Sequence, residues 1–461
     1  MSLEITLEKF GQGHLLRHLA RLEPDERKTL EAQLAEIDFA QLQRLVAGAD
    51  SGPNWAEMAA RAEPPPAIRL HESNPKFELG AARVAGEQAL RGGRMAAIIV
   101  AGGQGTRLGF EHPKGMFPIG PLSGRTLFQM LADRLLAVMR RYDVSIPMYV
   151  MTSPATDAET REYFAKNRQC GLAEDQLVIF CQGTMPAVEA GSGKLLLESR
   201  SALAVSPDGH GGLVSALDKN GCLADAAARG IEHFFYAQVD NPLVQLCDPG
   251  LIGYHVLSAS QVTTQVVRKR FAKEKVGNVV GLDGKVQIIE YSDLPDAAAE
   301  QLLADGSLKL WAGNIAVHLF AREFLQSVIS NSDSLVFHRA HKAVPHLNDS
   351  LEWVKPEKPN AIKFERFVFD LLPLADRSLV VEGNAAEVFA PLKNADGASV
   401  DTPEQSKAAL CKLHRGWLES AGASVMPDVK VEIHPEWALD ADDVRKKVGI
   451  DCKISSDTFF G

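Results

Sequence analysis

Apolar positions in this chain fall into two rhythms. Ala96 to Val100 is an unbroken apolar run of strand length, and similar runs recur at Pro147 to Thr152, Leu177 to Gln182 and His233 to Val239. Asp157 to Asn167 lies between two of them and reads as a helix. Strands apolar on both faces need helices on both faces, and alternation of the two predicts a doubly wound α/β domain. Ahead of it, Leu15, Leu19 and Leu22 share one helical face and Leu30, Leu34 and Ile37 another, with Pro24 between. This predicts two amphipathic helices packed on a larger body. Pro64-Pro65-Pro66 reads as a stiff connector, and beyond about Asp396 the pattern turns irregular. The expected plan is a helical region over 1–90, an α/β domain over 91–395 and a small C-terminal lobe over 396–461.

The first strand empties into Gly102, Gly103 and Gly105, followed by Arg107 and Lys114. In open α/β sheets ligands collect beyond the carboxyl ends of strands. Glycines there let the backbone approach a ligand and present N–H groups, while Arg and Lys bring positive charge. A phosphate-rich substrate fits such a loop. It is neither of two common phosphate loops. No glycine has the partner that G-x-x-x-x-G-K-[ST] requires, and Leu108 stands where G-x-G-x-x-G needs its last glycine.

Charge narrows the partners. The formal net charge is −10, with no long basic run interleaved with aromatics, which disfavours nucleic-acid or membrane-surface binding. The six cysteines are scattered without C-x-x-C, as expected of reduced thiols in a cytoplasmic protein. No apolar segment reaches membrane-span length and no signal-peptide core opens the chain. The length suggests two or three domains.

GGQGTRLG, HPKGMF and TLFQ closely resemble the eukaryotic-type UDP-N-acetylglucosamine pyrophosphorylases, a family of UTP:sugar-1-phosphate uridylyltransferases. The resemblance continues through QGTMPA, PDGHGG, QVDN, IIEYSD, AGNIA, KPNAIKFERFVFD and PLKNAD, in the family's order. It implies a Rossmann-like mixed sheet of the nucleotidyltransferase type, with 91–395 as the catalytic domain. No hexapeptide array follows, so the appended β-helix of the bifunctional bacterial enzymes is not expected. The implied reaction joins UTP and a sugar 1-phosphate into a UDP-sugar and pyrophosphate. Such transfer needs two polyanions held in line and their charge neutralised, with Mg2+ as cofactor.

The resemblance assigns residues. Asp240 in QVDN becomes the metal ligand, although from local sequence alone it reads as a turn or cap residue before Pro242. Arg107 and Lys114 become the cations on the triphosphate, and Lys393 in PLKNAD grips the sugar phosphate. Lys363 is similar to a second basic position near the phosphates, in a segment whose Phe364, Phe367 and Phe369 also suit core packing. Gln182 is placed on uracil, since an amide both donates and accepts. Gly102, Gly103, Gly209 and His210 complete the nucleotide contacts. Glu290 and Asn314 are placed on the sugar; alone they read as an edge-strand carboxylate and a turn residue.

Sugar identity stays open. His210 stands where the N-acetylglucosamine members usually carry Asn, as in relatives acting on glucose or several sugars, yet those relatives typically have Leu at Gln104. A non-catalytic nucleotide-sugar sensor is the alternative of another class, disfavoured because Arg107, Lys114, Asp240 and Lys393 are all present. His338, His341 and His346 lack zinc-ligand spacing, and Gly191-Ser192-Gly193-Lys194 imitates only the end of a P-loop.

Overall fold

The computed structural model describes residues 2–48, 54–72, 77–330, 335–449 and 452–461. Its contacts group the chain into two compact units. The larger comprises Trp55–Cys181, Ala216–Asn331 and Leu371–Gly461; the smaller comprises Met1–Asn54, Gln182–Ser215 and Ser332–Asp370.

The larger unit is built on a 10-stranded sheet. Its strands are β1 (Ala67–Ile68), β2 (Met95–Val100), β3 (Met148–Thr152), β4 (Leu177–Cys181), β5 (His233–Gln238), β6 (Val262–Arg268), β7 (Asn278–Leu282), β8 (Lys285–Ile289), β9 (Ala312–Ala321) and β10 (Ser378–Glu382). The order is β1-β10-β6-β9-β5-β2-β3-β4, with hairpin β7–β8 attached to β9. All neighbours on this path are parallel except β9, which runs against both β6 and β5. This is the expected mixed, doubly wound sheet. The runs at 96–100, 147–152, 177–182 and 233–239 supply β2 to β5, and Asp157–Lys166 is the helix between β3 and β4.

Burial follows from the pattern. Met95 to Ile99 are wholly buried, and Ala97, Ile99 and Val150 share a core with Phe128, Leu131 and Leu135 of the helix Leu127–Tyr142. That helix explains TLFQ: Thr126 caps it, accepting from the Gln129 N–H at 3.2 Å, while Gln129 accepts from the Thr126 N–H at 3.0 Å. The reciprocal bonds satisfy helix donors that otherwise have no partner.

Three expectations change. The N-terminal helices are not two: Leu3–Lys9, Gly13–Leu19, Pro24–Ala35 and Phe39–Ala47 lie in the smaller unit, and Trp55–Arg61 opens the larger. Pro24 begins a helix because proline suits the first turn, and Leu22 and Ile37 lie outside the helical spans. The triple proline does more than connect, since Ala67–Ile68 directly after it forms edge strand β1 on β10. The stretch after Asp396 is not irregular throughout; it holds the 18-residue helix Pro403–Ser420, with Pro403 in its first turn and a Thr402/Gln405 capping box. Leu410 packs into the sheet's core, while Leu418 joins Val431, Val444 and Ile454 in a second cluster. Few large apolar residues mark that helix, so its period is faint in sequence.

In the smaller unit Leu7, Leu15, Leu30, Phe39 and Leu45 from the four helices close over Val188, Leu195, Leu197, Ile362 and Phe364 from short strands. Among the described residues no helix is long and apolar enough to cross a membrane.

Candidate active site

The sheet changes direction of travel between β2 and β5. From β2 the chain steps outward to β3 and β4, and from β5 toward β9 and β6. At such a switch point the loops diverge and leave a crevice beyond the carboxyl ends. The two strands stay paired to their last residues, the Val239 N–H donating to the Val100 carbonyl at 3.0 Å. Gly102 and Gly103 leave from β2, and Asp240 sits just past β5.

Backbone bonds then fold the following loops back. Lys114 N–H donates to the Gly103 carbonyl at 3.0 Å and Gly105 N–H to the His112 carbonyl at 2.9 Å. This returns the Lys114 side chain, whose Nζ lies 3.3 Å from Asp240 Oδ2 and 3.3 Å from the Leu392 carbonyl. The pair is largely buried, with side-chain exposures of 11% and 14%. Leu392 N–H donates to the Asp240 carbonyl at 2.8 Å, and Ala395 N–H to the Arg107 carbonyl at 3.1 Å. Lys393 lies between these two ties. Residues far apart in sequence, Arg107, Lys114, Asp240 and Lys393, therefore occupy one corner. Arg107 is exposed there and Lys393 half-buried.

Asp401, which the sequence reading missed, shapes the same corner. Its carbonyl accepts from the Lys393 N–H at 2.8 Å and the Asn394 N–H at 3.0 Å, closing the loop that carries Lys393. Burial pushes the Asp401 carboxyl above its ordinary range, with Lys393 opposing. Nothing in DGASVD marks it beforehand.

Glu290 and Asn314 also come together. Pairing of β6 with β9 jumps from Gln265–Val317 to Val266–Asn314, so Ile315 and Ala316 bulge out. Ala316 sits at φ 55°, and its N–H donates to Asn314 Oδ1 at 2.9 Å. Bulges re-aim side chains, and this one sets Asn314. Asn314 N–H donates to the Gly277 carbonyl at 2.8 Å. A Cβ on Gly277 would lie 2.9 Å from Glu290 Oε1 and 3.6 Å from Asn314 Cβ, so only glycine leaves these side chains flanking it. Neighbouring Asn278 is held by Lys269, whose Nζ donates to its Oδ1 at 2.6 Å, and it donates to the Ile289 carbonyl at 3.3 Å. Burial lowers the Lys269 ammonium to about 8. Neither Lys269 nor Asn278 carried a sequence signal.

Gln182, Gly209, His210 and Lys363 belong to the smaller unit. Buried Gln182 precedes Gly183, whose carbonyl accepts from the Asp208 N–H at 3.1 Å, so the QGTMPA and PDGHGG loops adjoin. Gly209 has φ 83°, and a Cβ there would meet the Arg366 carbonyl oxygen at 2.3 Å. Arg366 pairs its guanidinium with Asp208, while its carbonyl accepts from the Gly211 N–H at 2.8 Å. The FERF and PDGHGG blocks thus hold each other. His210 Nδ1 accepts from the Val368 N–H at 3.0 Å, which places the ring proton on Nε2. Its ring lies 5.3 Å from that of Phe367 and 5.7 Å from that of Phe369. Burial, then the neighbouring His338, lowers His210 to about 4, so the imidazole is neutral near pH 7. Lys363 lies on the strand Ala361–Glu365, alternating with core residues Ile362 and Phe364.

His338 pairs with Asp370 at 2.8 Å, and among the described residues no three His, Cys, Asp or Glu side chains cluster as a metal site. Gly191 to Lys194 forms a tight turn, with Gly193 N–H donating to the Glu189 carbonyl at 2.9 Å.

Comparison with known proteins places the chain in a family. The family model described as UTP--glucose-1-phosphate uridylyltransferase matches residues 60–431. The chain belongs to that family. It is 37% identical over 446 residues to UDP-N-acetylhexosamine pyrophosphorylase-like protein 1 of Homo sapiens, covering 94% of this chain and 87% of that one. It is 38% identical over 356 residues to UDP-N-acetylglucosamine pyrophosphorylase of Saccharomyces cerevisiae, covering 76% and 74%. The crystal structure of the uridine diphosphate N-acetylglucosamine pyrophosphorylase from Trypanosoma brucei, in complex with inhibitor, superposes with TM-score 0.82 at 26% identity over 99% of both chains. Uridylyltransferases of this family carry out nucleotidyl transfer, chemistry that generally needs a divalent metal ion.

Proposed function

We propose that this chain forms a UDP-sugar and pyrophosphate from UTP and a sugar 1-phosphate, with N-acetylglucosamine 1-phosphate as the preferred sugar. The gathering of Arg107, Lys114, Asp240 and Lys393 at the switch point carries the reading, and the names of the relatives point to the sugar. A phosphate oxygen of the sugar 1-phosphate attacks the α-phosphorus of UTP in line. A new P–O bond forms as the bond to the bridging oxygen breaks, and pyrophosphate leaves with that oxygen. No covalent enzyme intermediate is needed.

Arg107 and Lys114 neutralise charge on the α-phosphate and the departing pyrophosphate, and Lys393 holds the sugar phosphate. Asp240 fits as an Mg2+ anchor, because Mg2+ takes one or two carboxylates and completes its shell with phosphate oxygens and water. The bound ion supplies Lewis-acid stabilisation of the phosphate charge. Glu290 and Asn314 bind sugar hydroxyls, Gln182 pairs with uracil, and Gly102, Gly103 and Gly209 offer backbone contacts. His210 presents Nε2–H to the nucleotide, and Lys363 adds positive charge. In this reading 91–395 is the catalytic domain, flanked by the region 1–90 and the lobe 396–461. A cytoplasmic setting belongs to the same proposal, supported by six free cysteines.

His210 favours a second reading, in which glucose 1-phosphate is the better substrate. The test is pyrophosphate release from UTP and Mg2+ with the 1-phosphates of N-acetylglucosamine, N-acetylgalactosamine, glucose and galactose. Highest kcat/KM with N-acetylglucosamine 1-phosphate supports the first reading. Preference for glucose 1-phosphate replaces it with the second, and silence with all four leaves a nucleotide-sugar sensor.

A further inference from the structure

A cleft in the smaller unit is lined by none of the residues assigned to UTP, the sugar 1-phosphate or the metal. It has a volume of about 560 Å³ and is walled by the helix Gly13–Leu19 with Arg21 beyond it, the turn from Glu189 to Leu197, and residues 346–350. That volume falls in the range of small-molecule sites.

The walls are tied together. Gln12 donates to the Gly193 carbonyl at 3.1 Å and accepts from the Leu195 N–H at 2.9 Å. His14 and His18 contact the Leu195 and Arg200 carbonyls at 3.0 and 2.6 Å. Leu347 pairs with Leu197, and Leu15, Leu19, Leu195 and Leu197 lie in one core beneath. These ties fix the walls of the cleft against one another.

Its charge is unbalanced. Arg17, Arg21 and Lys194 line it, and none forms an ion pair among the described residues. Elsewhere in this unit Arg27 pairs with Glu31, Arg200 with Glu26 and Arg366 with Asp208. Two carboxylates also line the cleft: Glu189, which accepts from Ser192 Oγ, and Asp349. Burial holds the His14 imidazole below its ordinary range, opposed by its bond to the Leu195 carbonyl and by Asp349, with Lys194 and Arg17 adding to the shift. In a chain of net charge −10, three cations that have no ion pair among the described residues line one cleft and outnumber its two carboxylates, which makes it a local anion trap. Lys194 ends the Gly-Ser-Gly-Lys turn, which now has a place.

We propose that this cleft binds a small phosphomonoester, with Arg17, Arg21 and Lys194 around the phosphate. It is separate from the residues assigned to UTP and sugar 1-phosphate, and it does not depend on the reading of the active site.

The test is calorimetric titration of the full chain with inorganic phosphate and with glucose 6-phosphate, at low ionic strength without nucleotide or Mg2+. The expected result is saturable millimolar binding that weakens about tenfold or more in Arg17→Gln/Lys194→Gln, since charge-assisted contacts carry it. The binding that Arg17→Gln/Lys194→Gln weakens should persist in Arg107→Ala, whose own loss would report the separate phosphate contacts of the active site, and Lys194→Arg should retain binding. Far-UV circular dichroism establishes that each variant is folded, and Lys194→Gln alone replaces the double variant if that one is not. Phosphate binding without glucose 6-phosphate binding limits the site to the free ion and overturns the phosphomonoester assignment. Absence of saturable binding, equal affinity in the cleft variants, or loss on Arg107→Ala alone overturns the site.

Discussion

The switch-point corner of the larger unit and the His210 loop of the smaller one use opposite electrostatics. In the corner, charged side chains are gathered together: Lys114 pairs with Asp240, with the exposed Arg107 and the half-buried Lys393 held by backbone ties. In the loop the titratable group is neutral, buried against Phe367 and Phe369, with its acceptor nitrogen already used by Val368. The corner suits binding and displacement of phosphates, where charge must be met by charge. The loop suits recognition by shape and one donor, where an ionised group would carry a desolvation penalty. Charge alone would have singled out the corner and passed over the loop.

Asp240→Ala tests the corner most severely. Turnover should fall about a thousandfold, the scale on which removal of one group stabilising transition-state charge is felt, while the fold persists. Pyrophosphate release and a thermal melt measure the two parts; near-normal turnover removes Asp240 from the mechanism. Lys114→Met probes the same pair without catalysis. The ammonium 3.3 Å from Asp240 Oδ2 competes with a divalent ion for that carboxylate. Mn2+ titrated into the nucleotide-free variant and followed by electron paramagnetic resonance should bind about tenfold more tightly than to the wild type, given the attraction lost at that distance. Equal affinity in the two proteins would show that Lys114 does not screen the site.

The loop should answer more quietly, in preference and in pH. His210→Asn is expected to raise the kcat/KM ratio of N-acetylglucosamine 1-phosphate to glucose 1-phosphate by a few-fold, a change typical of altered small contacts. An unchanged ratio separates His210 from sugar choice. The sign of the pH effect follows from the lowered His210 value. Between about 4 and the ordinary 6.5 the unfolded chain binds a proton that the folded chain excludes, so stability declines as pH falls through that window and levels off below it. His414, also buried and lowered to about 4, acts in the same direction. Urea unfolding at pH 7 and pH 5 should therefore show a smaller loss in His210→Asn than in the wild type, with His414 and the other histidines that burial lowers, His14, His233 and His255, still contributing in the variant.

Much of this was legible beforehand. Strands β2 to β5 announced themselves because strands buried on both faces must be apolar throughout, and the Gly102-Gly103 loop because close backbone approach needs glycine. The helix Pro403–Ser420 did not, since a few large apolar residues anchor an otherwise polar surface. Asp401, Lys269 and Asn278 were invisible for another reason. Each acts through partners far away in sequence or through a backbone carbonyl, and neither leaves a local pattern. Arg366 was read inside a family block without a partner, and only the folded chain shows it gripping Asp208.

Sequence by itself determined the alternation of strands and helices, the glycine loop and the set of charged residues in family order, because these depend on local period, sterics and residue type. Tertiary structure decided what that set can do together. It brought Lys114 to Asp240, set Lys393 between ties to Asp240 and Arg107, turned Asn314 toward Gly277 with a bulge, and gathered Arg17, Arg21 and Lys194 along one cleft. Those outcomes rest on distances of a few ångströms between residues remote in sequence, and only chain closure fixes such distances.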